Sequence, residues 1–166
     1  LRIEGADLPA DQTNLAYRAA ELYFQMANEC RGVSMLLKKH IPIAAGLGGG
    51  SSNAGSVLRA IGQLYPSNVD TLAVARALGS DVPFFVLDYP AARARGRGEK
   101  LEQVEIPEIY LVLVNPGLHI SAKDAYANLQ TFSARLKLES ILEKLKTQEE
   151  PGYLNALQPG VVLRYP

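Results

Sequence analysis

Between Pro42 and Asn53 the chain reads Pro42-Ile43-Ala44-Ala45-Gly46-Leu47-Gly48-Gly49-Gly50-Ser51-Ser52-Asn53. Four of the five positions from Gly46 to Gly50 are glycine. A backbone stripped of side chains lets several N–H groups converge on one bulky anion. A helix is predicted to start at Ser51 or Ser52, aiming its unpaired first-turn N–H groups and positive dipole end at the same anion. The two hydroxyls can donate to phosphate or help ligate a metal. Such a site suits a polyphosphate. A flexible loop that only caps a helix is the plainer reading, and the seating of the glycines directly on a helix start counts against it. The common phosphate fingerprints do not fit. No lysine lies between Gly46 and Asn53, as a P-loop requires, and Ser51 breaks the dinucleotide pattern.

Asp81 is the second residue of chemical interest. It follows Gly79 closely and immediately precedes Val82-Pro83. A carboxylate on a short, firmly held connection can accept the proton of a hydroxyl attacking a phosphoryl group, or orient that hydroxyl. Taken alone, the local sequence favours a duller role, an Asp that bonds its own backbone within a turn. Lys39, three residues before Pro42, reads equally well as a point charge for phosphate or as a solvated strand end. Asn14 reads as capping chemistry alongside Thr13. Arg93, Arg95, Arg97 and Lys100 read as a solvated basic turn rather than an anion-steering patch. His40 and His119 lack partners at metal-ligand spacing, and Cys30 lacks an activating base. Neither Ser51 nor Ser52 sits in a hydrolase elbow.

These residues need elements to position them. Leu15, Ala19, Leu22, Tyr23 and Met26 recur at helical spacing and predict a helix from Thr13 to Asn28, capped by Thr13. Val33–Leu37 reads as a strand. Ala54, Val57, Leu58, Ile61 and Leu64 form the apolar face of the helix after the glycines. Asp70–Leu78 reads as a helix capped by Asp70 and closed by Gly79. Val82–Leu87 reads as a strand or extended segment, Arg93–Lys100 as a turn, and Tyr110–Val114 as an apolar strand closed by Asn115-Pro116-Gly117. Ser121–Leu129 and Leu136–Lys146 read as helices. Strands and helices mixed in this order indicate an α+β fold. A composition shift near Ile106–Glu108 suggests a boundary between residues 1–106 and 107–166.

The chain has 166 residues, with 17 Lys plus Arg against 17 Asp plus Glu, which argues against a protein held mainly on nucleic acid or an acidic membrane. No apolar run approaches the roughly 18 residues of a membrane span. A single cysteine excludes an internal disulfide and a cysteine-based zinc cage. A cytoplasmic protein is expected. The chain starts at Leu1 and ends at Tyr165-Pro166, and both ends are expected to be cut.

The glycine-rich segment, continued by Asn53-Ala54, resembles the nucleotide-binding motif of the GHMP kinases. Leu78-Gly79-Ser80-Asp81-Val82-Pro83-Phe84-Phe85 resembles a second motif of one branch of that family, and Arg95-Gly96-Arg97-Gly98-Glu99 resembles its Gly-x-Gly-Glu turn. Pro9–Ala20, with Asn14-Leu15, is similar as well. The order and spacing of the four segments agree, and the resemblance covers roughly Pro9 to Pro116.

The resemblance implies a GHMP-kinase-like α+β fold: an incomplete S5-like N-terminal domain over 1–106 and the start of a ferredoxin-like domain over 107–166. It implies ATP and Mg²⁺, with Pro42–Asn53 and Lys39 around the phosphates and Asn14 near the adenine. No protein cage for the metal is implied beyond a contact from Ser51. Asp81 matches the family's catalytic aspartate. The branch phosphorylates the 2-hydroxyl of 4-diphosphocytidyl-2-C-methyl-D-erythritol in non-mevalonate isoprenoid biosynthesis, so the implied partner is that small molecule, not nucleic acid or membrane. The lysine that partners the aspartate in the family, the residues that stack on cytosine and a closing Gly-Ser-rich motif are expected to be absent from this chain. Asn155-Ala156-Leu157-Gln158 resembles a family segment whose two acidic positions are replaced here. A GHMP kinase with another acceptor, and a non-catalytic nucleotide-binding module, are the alternative readings. An RNA-binding S5-like module is disfavoured by the zero net charge.

Overall fold

The computed structural model describes residues 1–118, 120–129, 132, 137–152 and 155–165. The chain divides into two compact units. One comprises Leu1–Ile43 and Leu47–Val104, the other Ala44–Gly46 and Glu105–Pro166.

The first unit opens with a short strand, β1 (Arg2–Glu4), that the sequence did not announce. Helix α1 (Leu15–Met26) follows, then β2 (Leu36–Lys38). The two strands pair in parallel, with Ile3 opposite Leu37. Parallel strands need a long crossover, and α1 supplies it. Asn14, not Thr13, caps α1 through an acceptor bond from the Ala16 amide. The Thr13 hydroxyl is instead donated to Asp11 Oδ1 at 2.7 Å.

Helix α2 (Gly49–Leu64) begins earlier than expected, on the glycines themselves. Gly48 adopts a left-handed backbone (φ +67°) that turns the chain into the helix, a geometry only glycine takes without strain. Helix α3 (Thr71–Leu78) runs as expected, with the Asp70 carboxylate accepting from the Leu72 and Ala73 amides. The segment Val82–Leu87 is a helix, α4, rather than the anticipated strand. Its aromatic and β-branched residues have strand propensity, but Pro83 sits in its first turn, where proline favours a helix start. Val82 and Pro83 are buried. Tertiary packing outweighs propensity here.

Tyr23, Phe24, Leu58, Ile61, Val74, Leu78 and Val82 form the core with four alanines. Each large side chain buried there stabilises the fold by about 1.5–3 kcal/mol before entropy is counted. Of the faces read from periodicity, Ala19 and Tyr23 of α1 and Ala54, Leu58 and Ile61 of α2 are buried, while Met26 and Leu64 lie at the exposed ends. The predicted basic turn is the tip of an antiparallel hairpin, β3 (Ala92–Arg95) with β4 (Lys100–Gln103).

The second unit holds helices α5 (Ala122–Ala127), α6 (Leu138–Lys146) and α7 (Gln158–Arg164), the last unannounced by the sequence. Ser121 caps α5, and Gly160 lets α7 approach the carbonyl of Asn128 closely. The expected strand Tyr110–Val114 is not formed. These residues have apolar strand character, but a strand exists only where a neighbour accepts and donates its backbone bonds. No strand of the second unit is present among the described residues to do so. His119 and the expected helix start at Leu136 lie outside the described residues.

Candidate active site

The site is built around the start of α2. Ser52 donates its amide to the Gly48 carbonyl, closing the first turn. The amides of Gly49, Gly50 and Ser51 precede the first intrahelical bond, and no side chain caps the helix. Three free donors and the positive end of a sixteen-residue helix therefore face outward. Lys39 adds a full charge. A Cβ on Gly49 would lie 2.5 Å from Lys39 Nζ, so the ammonium rests against the first turn of α2. Its own segment is held by the Lys39 amide bonded to the Glu4 carbonyl at 2.8 Å. The start of α1 also reaches the loop: a Cβ on Gly50 would sit 3.6 Å from Leu15 Cδ1.

Neighbouring Asn14 is used at both ends. Its Oδ1 accepts from the Ala16 amide and its Nδ2 donates to the Pro9 carbonyl at 2.9 Å. Upstream of α2, Ala44 (φ +56°) and Gly46 (φ +71°) turn the loop through left-handed backbone. Ser51, Ser52 and Asn53 are half-buried in the first turns. Asn53 lines an apolar cavity of about 300 Å³ with Ala16, Leu37 and Val57.

Asp81 stands at the N-cap position of α4, yet its carboxylate makes no capping bond. The turn-bonding role that its local sequence suggests is therefore not the one it plays. The side chain is exposed. Phe85, one helical turn further on, packs against the start of α2. Its ring tip would be 3.0 Å from a Cβ on Gly48, and its own Cβ 2.5 Å from a Cβ on Gly55. Residues four apart share a helix face, so Asp81 stands on the side of α4 that Phe85 turns toward α2. Across the site the hairpin tip closes in: a Cβ on Gly98 would be 3.6 Å from Asp81 Oδ1. Within that tip the Arg97 amide donates to Glu99 Oε2 at 2.7 Å. Bonds from the Glu99 amide and the Arg97 amide hold the Glu99 carboxyl below the usual carboxylate range, with the Lys100 and Arg97 charges adding to them.

The structure thus joins Lys39, the glycine turn, Asp81 and the Gly96–Glu99 tip in one unit. Sequence reasoning missed Gly55, Phe85 and Gly98 as fitted contacts. An isolated glycine inside a helical pattern was the available signal for Gly55. Among the described residues no group of three or more His, Cys, Asp or Glu side chains is arranged to hold a metal. None of the described helices is long and apolar enough to cross a membrane.

Residues 14–89, which carry both the glycine turn and Asp81, match the GHMP kinases N terminal domain. Over these residues the chain is a GHMP kinase N-terminal domain. The chain is 48% identical to the 4-diphosphocytidyl-2-C-methyl-D-erythritol kinase of Deinococcus radiodurans, in an alignment covering all of this chain and 58% of that protein. It is 46% identical to the enzyme of the same name from Thermus thermophilus, over 95% of this chain and 58% of the relative. A crystal structure of 4-(cytidine 5'-diphospho)-2C-methyl-D-erythritol kinase superposes with a TM-score of 0.84 at 43% identity, covering 99% of this chain and 61% of that one. The chain spans about three fifths of the length of these relatives. The α+β architecture of its first unit is that of the family's N-terminal domain.

Proposed function

We propose that the full-length protein carrying this chain is an ATP-dependent kinase that phosphorylates the 2-hydroxyl of 4-diphosphocytidyl-2-C-methyl-D-erythritol. The observation that carries the reading is that Phe85, on the helix that Asp81 begins, packs against Gly48 and Gly55 at the start of α2. The first turn of α2 and the uncapped carboxylate thereby belong to the same unit. The relatives named above support the choice of acceptor.

In this reading residues 1–106 bind the nucleotide and residues 107–166 open the second domain. The loop Pro42–Asn53 surrounds the triphosphate. The free amides of Gly49, Gly50 and Ser51, with the Lys39 ammonium, neutralise its charge. Asn14, beside the loop, lies near the adenine and keeps α1 capped. Asp81 accepts the proton of the attacking hydroxyl or aligns it for in-line attack. Most of the rate enhancement comes from positioning and charge stabilisation, as phosphoryl transfer requires.

The donor set fits Mg²⁺ arriving on the nucleotide rather than in a protein cage. Phosphate oxygens would supply most of its ligands, and the Ser51 hydroxyl could supply one. When bound, the ion offsets the charge that develops on the transferred group. A cytoplasmic setting and a small-molecule acceptor, with no nucleic acid or membrane partner, complete the reading.

The test is ADP release by the full-length protein with ATP, Mg²⁺ and this acceptor, beside an Asp81→Asn variant. Turnover is expected to fall by about 10²–10⁴-fold in the variant. Full activity in Asp81→Asn, or no turnover with this acceptor, overturns the assignment. Activity with another small alcohol would then identify a different GHMP acceptor, and nucleotide binding without any turnover a non-catalytic module.

A further inference from the structure

The Gly-x-Gly-Glu turn is the one motif that the mechanism leaves without a task. It forms the tip of the β3–β4 hairpin, between the paired residues Arg95 and Lys100. Gly96 (φ +73°) and Gly98 (φ +115°) both take left-handed backbone, and the Gly98 amide closes the turn on the Arg95 carbonyl. Such a tip has no strong preference for one shape unless something holds it. Glu99 is placed to do so. Its carboxylate folds back under the turn and accepts the Arg97 amide at 2.7 Å. It also fills the space beside Gly96, where a Cβ would meet the two carboxylate oxygens at 2.5 and 2.9 Å. The consequence appears at Gly98, whose Cβ position lies in van der Waals range of Asp81 Oδ1 and of Ser80. A glycine there leaves that face of the carboxylate open.

We propose that Glu99 is a positioning residue for Asp81: its carboxylate holds the hairpin tip in the shape that seats Gly98 against the Asp81 side chain. The lowered proton affinity of Glu99 agrees, because the carboxylate form is the one that binds the amides. For catalysis the proposal rests on the reading of Asp81 as the group that handles the acceptor hydroxyl.

The experiment uses the full-length protein and compares Glu99→Ala, Glu99→Gln and Gly98→Ala, each also combined with Asp81→Asn. Glu99→Ala should lower kcat by about 10-fold or more, as expected when a reacting group drifts by a fraction of an ångström, with the KM for ATP within about twofold. Glu99→Gln keeps an acceptor oxygen for the Arg97 amide and should recover most of kcat. Because Glu99 acts through Asp81, its loss should cost nothing further in the Asp81→Asn background. Gly98→Ala places a methyl on the carboxylate face and should lower kcat even where the protein stays folded.

A parallel carbon-13 NMR titration of the Asp81 carboxyl gives a readout that does not depend on activity. Glu99→Ala and Gly98→Ala should both shift that resonance. Wild-type kcat in Glu99→Ala, an additive loss in the double variant, or an unmoved Asp81 resonance overturns the proposal. Full activity in Asp81→Asn overturns the kinase role of Asp81 instead, and the NMR titration then decides the positioning by itself.

Discussion

Gly55 of α2 gives its side-chain space to Phe85 of α4: a Cβ on Gly55 would stand 2.5 Å from the Cβ of Phe85 and 3.0 Å from its carbonyl carbon. This contact sets how closely α4, and Asp81 at its start, can lie against α2. Gly55→Ala would ordinarily favour a helix by about 1 kcal/mol. Here the methyl has nowhere to go, and overpacking costs typically about 1–3 kcal/mol. The expected net result is a melting temperature lower by several degrees. Gly62, in the same helix, is the control. Its nearest neighbour to a Cβ is the Tyr23 hydroxyl at 3.9 Å, so Gly62→Ala should raise the melting temperature. Thermal unfolding of the two variants, read by circular dichroism, checks both signs.

Asn14 separates capping from ligand binding. Asn14→Ala removes the acceptor for the Ala16 amide and should cost about 1 kcal/mol of stability. Asn14→Asp keeps that acceptor and complements the helix dipole, but loses the donation to the Pro9 carbonyl. It should melt close to wild type. A nucleotide affinity that falls in both variants would mark a direct role at the adenine; one that tracks stability alone would assign the residue to the cap.

Lys39 should matter to nucleotide affinity more than to the fold. Its ammonium lies against Gly49, where the α2 amides are free. A charge-assisted phosphate contact is worth about 1.5–3 kcal/mol. Lys39→Met should therefore weaken ATP binding about tenfold or more, with little change in melting temperature. Titration at rising salt should narrow the difference between variant and wild type as the charge is screened. Equal affinities at low salt would return Lys39 to the status of a solvated strand end.

Acid sensitivity has identifiable sources. The Thr13 hydroxyl and then the Thr13 amide bond the Asp11 carboxylate and hold its proton affinity below the usual range, and amide bonds do the same for Glu99. Both groups release protons more readily in the folded chain than in the unfolded one. As pH falls, the unfolded state takes up protons first, and folded stability declines from the ordinary carboxylate range down through the lowered values. The contribution is present above that range and lost beneath it. Both carboxylates are near solvent, so the effect is small. Thr13→Ala and Glu99→Gln should each flatten the stability profile between about pH 5 and pH 3, measured by urea unfolding at stepped pH.

How much of this was legible beforehand follows from range. The glycine cluster, the Asp70 cap, the Gly79 stop and the apolar faces of α1 and α2 are local patterns. Backbone freedom, capping chemistry and periodicity act over a few residues, and all can be read along the chain. The candidate anion site is legible for the same reason, because it would be made of consecutive amides at one helix start. Other features depended on partners distant in sequence. Val82–Leu87 has strand-forming residues but folds as a helix because Val82 and Pro83 bury against the core. Tyr110–Val114 has strand-forming residues but stays unpaired, because hydrogen bonding across strands is not a property of one segment. Arg2–Glu4 is too short to announce itself and becomes a strand only beside Leu36–Lys38. The approach of the Gly98 tip to Asp81 is of the same kind. The sequence by itself determined which groups could bind phosphate and move a proton. Tertiary packing decided where they stand, since close fits such as Gly55 against Phe85 arise only when separate elements meet.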